Sequence, residues 1–225
     1  MDESFVLKCI RGLQENSEGI AFDIGANQGM YTTLLARKFK KVYAFEPHPF
    51  NIVFLKRNCA LSNVEIVDKA LSNENGKVKL YINHYNPGGH TINPKVAGTG
   101  LWGHDLETFV EVEAVTIDTF VKKNKITDPI VAFKCDVEGA EDFLFLGAEK
   151  TLKENNIAII LEIHQMVDLI MLYNFFRRLC YNALNENNQV TNNFRHDEHY
   201  LLTKTLGARP QAPLTPLART GELIE

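Results

Sequence analysis

The sequence has few cysteines, no long apolar run and no excess of basic residues, and each lack argues against a class of protein. The four cysteines are scattered and form no C-x-x-C pair, so neither a zinc knuckle nor a disulfide framework is indicated. The longest apolar stretch, within residues 157–161, is far too short to span a bilayer, and residues 1–16 lack the apolar core of a secretory signal. We therefore expect a cytoplasmic protein with reduced thiols and no membrane span.

The charge balance of the chain argues against nucleic acids and anionic membranes as partners. The chain has 24 Lys and Arg against 28 Asp and Glu, which leaves a net charge of −4 at pH 7. A nucleic-acid-binding protein or a peripheral protein of anionic membranes normally carries a basic surface. We therefore expect the protein to act on a small molecule or a glycan. We expect no nucleic-acid partner.

Short apolar runs alternate with amphipathic helical patterns along the first 68 residues. The runs IAFDI, KVYAFE and VEIVD predict strands, and residues 30–40 and 50–61 carry apolar side chains at helical spacing. Later strands are expected at IVAFKCD, IAIILEIH and residues 199–205. This order predicts an α/β fold with about seven mostly parallel strands and helices on both faces of the sheet.

The remaining organisation follows from composition. Residues 86–103 hold five of the fourteen glycines, which favours a hairpin or loop inserted at about residues 76–112. We expect a helical N-terminal segment over residues 1–18 and a single catalytic domain over residues 19–206. Residues 207–225 contain three prolines with little periodicity and predict a weakly structured tail.

The loop after the first strand, DIGANQG, separates two cofactor classes. A glycine turn between strand and helix lets a ligand approach backbone N–H groups at the helix N-terminus. A dinucleotide normally requires G-x-G-x-x-G, whereas here Asn27 stands between Gly25 and Gly29 and the middle glycine is absent. Asp23 precedes the turn. A negatively charged acid at this place suits the positive ammonium of S-adenosylmethionine better than it suits the negative phosphate of a dinucleotide. The loop therefore favours the methyl donor over a nicotinamide dinucleotide.

A second acid marks the end of the next strand. Glu46 lies 21 positions after Gly25, about the spacing at which an acid binds ribose hydroxyls in such folds. This spacing serves both cofactors, so it indicates an adenosine ribose without choosing between them.

Several segments together resemble the FkbM family of S-adenosylmethionine-dependent methyltransferases. They are FDIGANQGMYT, VYAFEPHPFN, VDKALSNENGKVKLYIN, IDTFV, FKCDVEGAEDFLFLGAEKTL and IILEIH, and the similarity covers roughly residues 19–202. The resemblance implies a Rossmann-like class I methyltransferase fold, an antiparallel last strand and O-methylation of sugars or secondary metabolites. It also implies positions for the cofactor: Asp23, Gly25, Asn27 and Gly29 beside the methionine part, Glu46 at the ribose and Asp68 near the adenine.

Acids and a histidine follow two later strands at the edge where ligands bind. Transfer to a hydroxyl needs a base or a metal, because a neutral hydroxyl is a poor nucleophile. Asp136, Glu138 and His164 are the candidate catalytic bases, and His164 has a near-neutral ordinary pKa. Alternatively, Asp136, Glu162 and His164 bind a divalent cation, since mixed carboxylate and imidazole sites are chemically reasonable. Glu138 and Glu141 are also explained as first-turn helix acids.

The acceptor and the overall activity stay open at this stage. Aromatic and histidine side chains of the insertion suit stacking on a sugar ring, or equally pack the loop onto the sheet; they are Tyr81, His84, Tyr85, His90 and Trp102. An NAD(P)-dependent oxidoreductase and a catalytically silent S-adenosylmethionine-binding module are the alternatives to an O-methyltransferase.

Overall fold

Eight strands form the main sheet of the protein, and three further short strands form a second sheet. The computed structural model describes residues 3–100 and 103–204. Its helices are α1 Glu3–Gly12, α2 Met30–Ala36, α3 Pro49–Asn58, α4 Pro94–Ala97, α5 Ile117–Lys123, α6 Glu141–Leu146, α7 Glu149–Glu154 and α8 Leu169–Arg178. Its strands are β1 Asn16–Ile24, β2 Phe39–Phe45, β3 Val64–Val67, β4 Ala70–Leu71, β5 Gly76–Tyr81, β6 Phe109–Val115, β7 Ile130–Cys135, β8 Ala158–Ile163, β9 Tyr181–Leu184, β10 Val190–Thr191 and β11 Glu198–Lys204.

The main sheet has the strand order β10-β9-β11-β8-β7-β1-β2-β3. Strands β3, β2, β1, β7 and β8 are parallel to one another, and β11 is antiparallel to both β8 and β9. The predicted α/β fold with a mostly parallel sheet is therefore confirmed. In the described part of the chain this sheet has eight strands rather than about seven, because the unpredicted β9 and β10 extend it beyond β11, whereas β5 belongs to the second sheet.

The order of the strands reverses next to β1. The chain runs from β1 outward to β2 and β3, and β7 then pairs with the opposite side of β1. In open α/β sheets, ligands bind beyond the carboxyl ends of the strands at such a reversal. The loops that follow β1, β2, β7 and β8 therefore surround the expected site.

The centre of the sheet is apolar on both faces, as parallel strands covered by helices require. Phe22 of β1 stacks on Phe133 of β7 with ring centroids 5.1 Å apart, and Phe120 of α5 meets Phe22 edge-on at 5.9 Å. On the other face, Val6 and Ile10 of α1 belong to one apolar cluster with residues of α2, β1, β2, β7 and β8. Helix α1 thus contributes to the core.

The observed strands bear on two predicted segments, the N-terminal segment and the insertion. The boundary expected between residues 18 and 19 falls inside β1, because β1 already pairs with β2 at Asn16, opposite Phe39. The segment predicted as an insertion, residues 76–112, contains β5, α4 and most of β6, and β6 pairs antiparallel with β5. The limits of the catalytic domain stay a prediction. Trp102 and residues 207–225 lie outside the described residues.

None of the helices in the described part of the chain combines the length and the apolar character needed to cross a membrane.

The packing of α1 gives a test of whether the helix belongs to the folded core. Ile10 is 1% exposed, so we expect Ile10→Ala to lower the free energy of unfolding by about 2–5 kcal/mol, measured by urea denaturation. Lys8→Ala on the exposed side of α1 is the control and should change the free energy of unfolding by less than about 0.5 kcal/mol. Equal stabilities of the two variants would show that α1 is not part of the core.

Candidate active site

A cavity of about 410 Å³ opens at the carboxyl ends of the central strands. On one side it is lined by residues 24–28, at the end of β1 and in the loop after it, and by Glu46, which follows β2. On the other side lie the carboxylates of Asp136, Glu138 and Glu162, which follow or end β7 and β8. Leu80, Asn86, Gly88, His90 and Ile92 of the second sheet and its loop complete the wall. The cavity therefore brings together residues predicted to bind the cofactor and residues predicted to act in catalysis.

The loop after β1 approaches its neighbours closely enough to require glycine. Gly25 has a φ of +74°, and a Cβ atom there would overlap the carbonyl oxygen of Asp136. Gly29, with a φ of +92°, caps α2, and a Cβ atom would overlap the sulfur of Cys59. Both positions need a left-handed backbone without a side chain. Gly25 also holds the loop after β1 directly against the end of β7.

Asp23 lies behind this loop and is not among the residues that line the cavity. Its side chain is completely buried, and its Oδ2 accepts a hydrogen bond of 2.5 Å from the Thr32 hydroxyl in α2. Burial raises its pKa, and nearby Lys134 opposes that rise. Asp23 therefore contacts α2, while its buried Oδ1 has no hydrogen-bond partner among the described residues, and its place beside the methionine part stays a prediction.

Glu46 forms part of the cavity wall beside the loop after β1 and is 5% exposed. Its Oε2 accepts a 2.9 Å hydrogen bond from the Asn27 backbone N–H, and its Oε1 accepts a 2.8 Å bond from the His48 backbone N–H. Burial raises the pKa of Glu46, whereas these two hydrogen bonds lower it. A carboxylate has about four acceptor positions, so Glu46 retains capacity for hydroxyl groups of a ligand.

The side-chain amides beside Glu46 leave acceptors unused. Asn27 adopts a left-handed φ of 49°, and its buried Oδ1 has no hydrogen-bond partner among the described residues. Asn51 is in the same situation: its Nδ2 donates to the Pro87 carbonyl at 3.0 Å, and its buried Oδ1 has no partner there. Both residues line the cavity. Buried acceptors without partners are unfavourable, so they indicate a ligand with hydrogen-bond donors.

Asp68, like Asp23 and Gly29, is a cofactor candidate that does not line this cavity. Its side chain is exposed and lines a separate depression together with Asn75 and Glu113. The cavity wall is instead formed there by Lys69 and Ala70. Asp68 therefore does not line this cavity, although the next two residues do, and its expected position near the adenine stays a prediction.

Lys134, whose role the sequence left open, stands at the centre of the site. It is 4% exposed, and its Nζ lies 3.2 Å from both the Gly25 carbonyl oxygen and Asp136 Oδ2. Its Nζ also lies 5.1 Å from the centre of the Tyr31 ring. Burial alone would lower its pKa, but Asp136 and Asp23 together raise the pKa above its usual range. The only signal in the sequence was a lysine inside the apolar strand IVAFKC.

His164 is surrounded by carboxylates. Its Nδ1 lies 2.7 Å from Oε1 of Glu141, a residue that is completely buried. Its Nε2 lies 3.4 Å from Glu162 Oε1 and 3.6 Å from both Asp136 Oδ1 and Glu138 Oε2. Burial opposes its charge, but Glu141 and the other carboxylates raise the pKa of His164 well above the ordinary value.

His164 was predicted as a catalytic base, and its raised pKa favours the protonated form, in which the ring has no free lone pair to accept a proton. Its role stays a prediction, and its position among four carboxylates also suits a group that holds them together. Glu141 was explained as a first-turn helix acid, and only the fold reveals that it orients His164 from 23 residues away.

Glu138 has the properties of a proton acceptor. It lines the cavity, its side chain is 23% exposed, and its backbone has a left-handed φ of 54° at the turn between β7 and α6. Burial raises its pKa to about 7, with His164 opposing and the neighbouring carboxylates reinforcing the rise. Glu138 therefore changes charge near neutral pH. Asp136, the third predicted base, already pairs with Lys134.

The residues with suitable geometry for a cation differ from the predicted set. Ligand atoms of Asp136, Glu138 and His164 lie within 4.8 Å of one another. Glu162 was predicted in place of Glu138, but its Oε2 lies 3.2 Å from Nε2 of buried His199. The pairing with His199 and His164 lowers the pKa of Glu162 even though its burial alone would raise it. Glu162 therefore lines the cavity as part of an ion-pair network with His164 and His199.

The strand order, the glycine loop and the acid after β2 define a Rossmann-like methyltransferase fold. The profile of the family described as Methyltransferase FkbM domain matches residues 23–204. The chain therefore belongs to the FkbM methyltransferase family.

Three known proteins illustrate the similarity. A crystal structure of methyltransferase FkbM from Methylobacillus flagellatus superposes with a TM-score of 0.52 at 17% identity, over 85% of this chain and 45% of that one. Methyltransferase 1 of Beauveria bassiana is 27% identical over 162 residues, which is 65% of each chain. An uncharacterized protein of Methanocaldococcus jannaschii is 34% identical over 67 residues, 28% of this chain and 26% of its own length. The chain thus spans less than two thirds of each of these proteins.

The close approach at Gly25 gives a test of the loop geometry. We expect Gly25→Ala to lower the free energy of unfolding by at least about 1–2 kcal/mol, the usual cost of placing a side chain in the left-handed region, with an added cost from the overlap with Asp136. Thermal and urea unfolding would measure it. Gly12→Ala is the matched control, because a Cβ atom at Gly12 meets nothing within 4 Å. Equal stability of both variants would contradict the described loop.

Proposed function

We propose that this chain is an S-adenosylmethionine-dependent methyltransferase that methylates a hydroxyl group of a sugar, a glycan or a small metabolite. The supporting observation is that one cavity contains both the glycine loop with Glu46 and, opposite them, Glu138 with a pKa of about 7. The first side suits an adenosine-containing donor, and the second suits removal of a proton from an acceptor. A volume of about 410 Å³ lies within the range of small-molecule sites.

The charges around the cavity favour this donor over a nicotinamide dinucleotide. Among the described lining residues, four carboxylates face the cavity with two lysines, Lys69 and Lys134; the carboxylates are Glu46, Asp136, Glu138 and Glu162. A dinucleotide would bring a pyrophosphate with two negative charges into this acidic cavity. S-adenosylmethionine brings a positive sulfonium and an ammonium instead. Asn27, in the middle of the loop, also blocks the close approach that a pyrophosphate needs.

The chemistry requires one proton to move as one bond forms and one breaks. S-adenosylmethionine would supply the methyl group from its positive sulfur: a bond between the acceptor oxygen and the methyl carbon would form as the carbon–sulfur bond breaks. The positive charge lost from the sulfur is balanced by the proton released from the hydroxyl, which we assign to Glu138. Alignment of the oxygen with the carbon–sulfur bond supplies the larger part of the acceleration, and the base contributes roughly 10²–10⁴-fold.

His164 and Glu141 have a positioning role in this proposal. The imidazolium lies 3.6 Å from both Asp136 and Glu138, which is too long for a hydrogen bond and short enough for electrostatic attraction. Its positive charge attracts these carboxylates and opposes the rise in the pKa of Glu138 that burial causes. A divalent cation bound by Asp136, Glu138 and His164 is the alternative way to activate the hydroxyl, and it would use a neutral His164.

A silent binding module would keep the donor side of the cavity and lose the acceptor side. Here Glu138 lines the cavity with a raised pKa, and Asp136 pairs with Lys134. Because burying several carboxylates near one another is unfavourable, their presence supports a catalytic use. Labelled methyl transfer to a panel of sugars, glycans and small hydroxylated metabolites decides between the enzyme and the module.

For the donor, we expect Glu46→Gln to weaken binding of S-adenosylmethionine by about 10-fold or more, because it removes a charged acceptor for ribose hydroxyls worth about 1.5–3 kcal/mol. Calorimetric titration measures this affinity. Glu74→Gln, at an exposed position in the turn before β5, is the control and should leave affinity unchanged. Wild-type protein that binds a nicotinamide dinucleotide and not the methyl donor would overturn the proposal.

For the base, we expect turnover to rise with pH through about 7 as Glu138 loses its proton, since a protonated carboxyl is unable to accept another. Glu138→Gln should lower turnover by roughly 10² or more and remove this inflection, while donor affinity stays within about twofold. Exposed Glu154→Gln is the control. Activity that vanishes with EDTA and returns with magnesium or manganese would instead make Glu138 a cation ligand.

A further inference from the structure

Lys134 is a buried cation in the wall of the proposed donor site. It is 4% exposed and lines the cavity, although lysine is among the residues that are almost never fully buried without a partner. Two acceptors lie within 3.2 Å of its Nζ, namely the Gly25 carbonyl and Asp136 Oδ2. An ammonium group has three N–H donors. Its geometry thus leaves capacity for a further acceptor from a ligand.

Lys134 and Asp136 present opposite charges side by side. Their charged atoms are 3.2 Å apart, next to the loop that contains Gly25, and both residues line the cavity. The ligand group that complements adjacent positive and negative charges is itself a pair of opposite charges. The ammonium and carboxylate of an α-amino acid form such a pair.

The second lysine of the cavity lies too far away to serve the same group. Lys69 follows β3, whereas Lys134 belongs to β7, and strands β1 and β2 lie between them. At about 4.8 Å between neighbouring strands, roughly 14 Å separate the two positions. Among the described lining residues, Lys134 is therefore the cation at the glycine loop.

We infer that Lys134 recognises the carboxylate of the amino-acid end of the methyl donor and makes the site selective for nucleosides that carry this end. The inference rests on the proposed function, in which the donor is S-adenosylmethionine. The ligand class is an adenosine thioether or sulfonium bearing a zwitterionic amino acid. A thioether of adenosine without the amino acid lacks the group that Lys134 binds.

A purely structural role for Lys134 makes a different prediction. Lys134 neutralises Asp136 and holds the Gly25 carbonyl, so its loss would disturb the loop for every adenosine ligand alike. Selectivity between two ligands that differ only in the amino-acid end separates the two roles. S-adenosylhomocysteine and 5′-methylthioadenosine form this pair, since they share the adenosine and the sulfur.

The experiment is calorimetric titration of both ligands into wild-type protein, Lys134→Met and Lys134→Arg. We expect Lys134→Met to weaken S-adenosylhomocysteine by about tenfold or more, because a charged hydrogen bond is lost, and to change the affinity for 5′-methylthioadenosine by less than about threefold. Lys134→Arg should retain part of the preference. Glu46→Gln is the matched control, which should weaken both ligands by similar factors because both carry the ribose.

Equal losses of both ligands in Lys134→Met would overturn the inference and leave the proposed function intact. Wild-type protein that binds neither ligand would overturn both. A test without variants keeps the inference falsifiable if Lys134→Met fails to fold: decarboxylated S-adenosylmethionine should bind wild-type protein at least about tenfold more weakly than S-adenosylmethionine. Equal affinities for these two donors would overturn the inference.

Discussion

The close contact between the backbone of Gly25 and the carbonyl of Asp136 is the constraint on which the site depends. It places the loop after β1 against the end of β7, and Lys134 reinforces the contact through the Gly25 carbonyl. Because both segments leave the sheet at the point where strand order reverses, the loop after β1 and Glu138, which follows β7, face one cavity. A side chain at residue 25 would separate them.

The second requirement is compensation of buried charge. Four carboxylates surround His164, and Lys134 stands beside Asp136 with Asp23 nearby. Buried ions are unfavourable unless paired, and removal of one partner leaves the other uncompensated. The positive charges of the histidine and the lysine therefore offset part of the cost of burying these acids together. This arrangement leaves Glu138 as the acid whose pKa lies near 7.

Local patterns in the sequence were sufficient for the parallel core and for part of the donor site. The strand IAFDI and the helical spacing after it predict β1 and α2 because apolar periodicity is local, and the position of Glu46 follows from its distance from Gly25. The edge strand β10 was missed because its two residues, Val190 and Thr191, are not buried and stand in a polar segment. No apolar pattern marks such a strand.

The directions in which side chains point and the charge states of the titratable groups could not be predicted from the sequence. Side chains alternate between the two faces of a strand, so Ile24 lines the cavity whereas Asp23 faces Thr32. The charge of His164 depends on Glu141, which lies on a separate element. Spacing along the chain predicts which strand end carries a residue, and only the packed structure shows which neighbours determine its protonation.

The central claim is that one cavity receives the methyl donor between the glycine loop and the acids after β7. A crystal structure of the protein with bound S-adenosylhomocysteine tests it most directly. The account predicts electron density for the ligand in this cavity, with the ribose hydroxyls within hydrogen-bond distance of Glu46 and the sulfur facing Glu138. Density for the ligand at any other place on the chain, or a ribose remote from Glu46, would contradict the account.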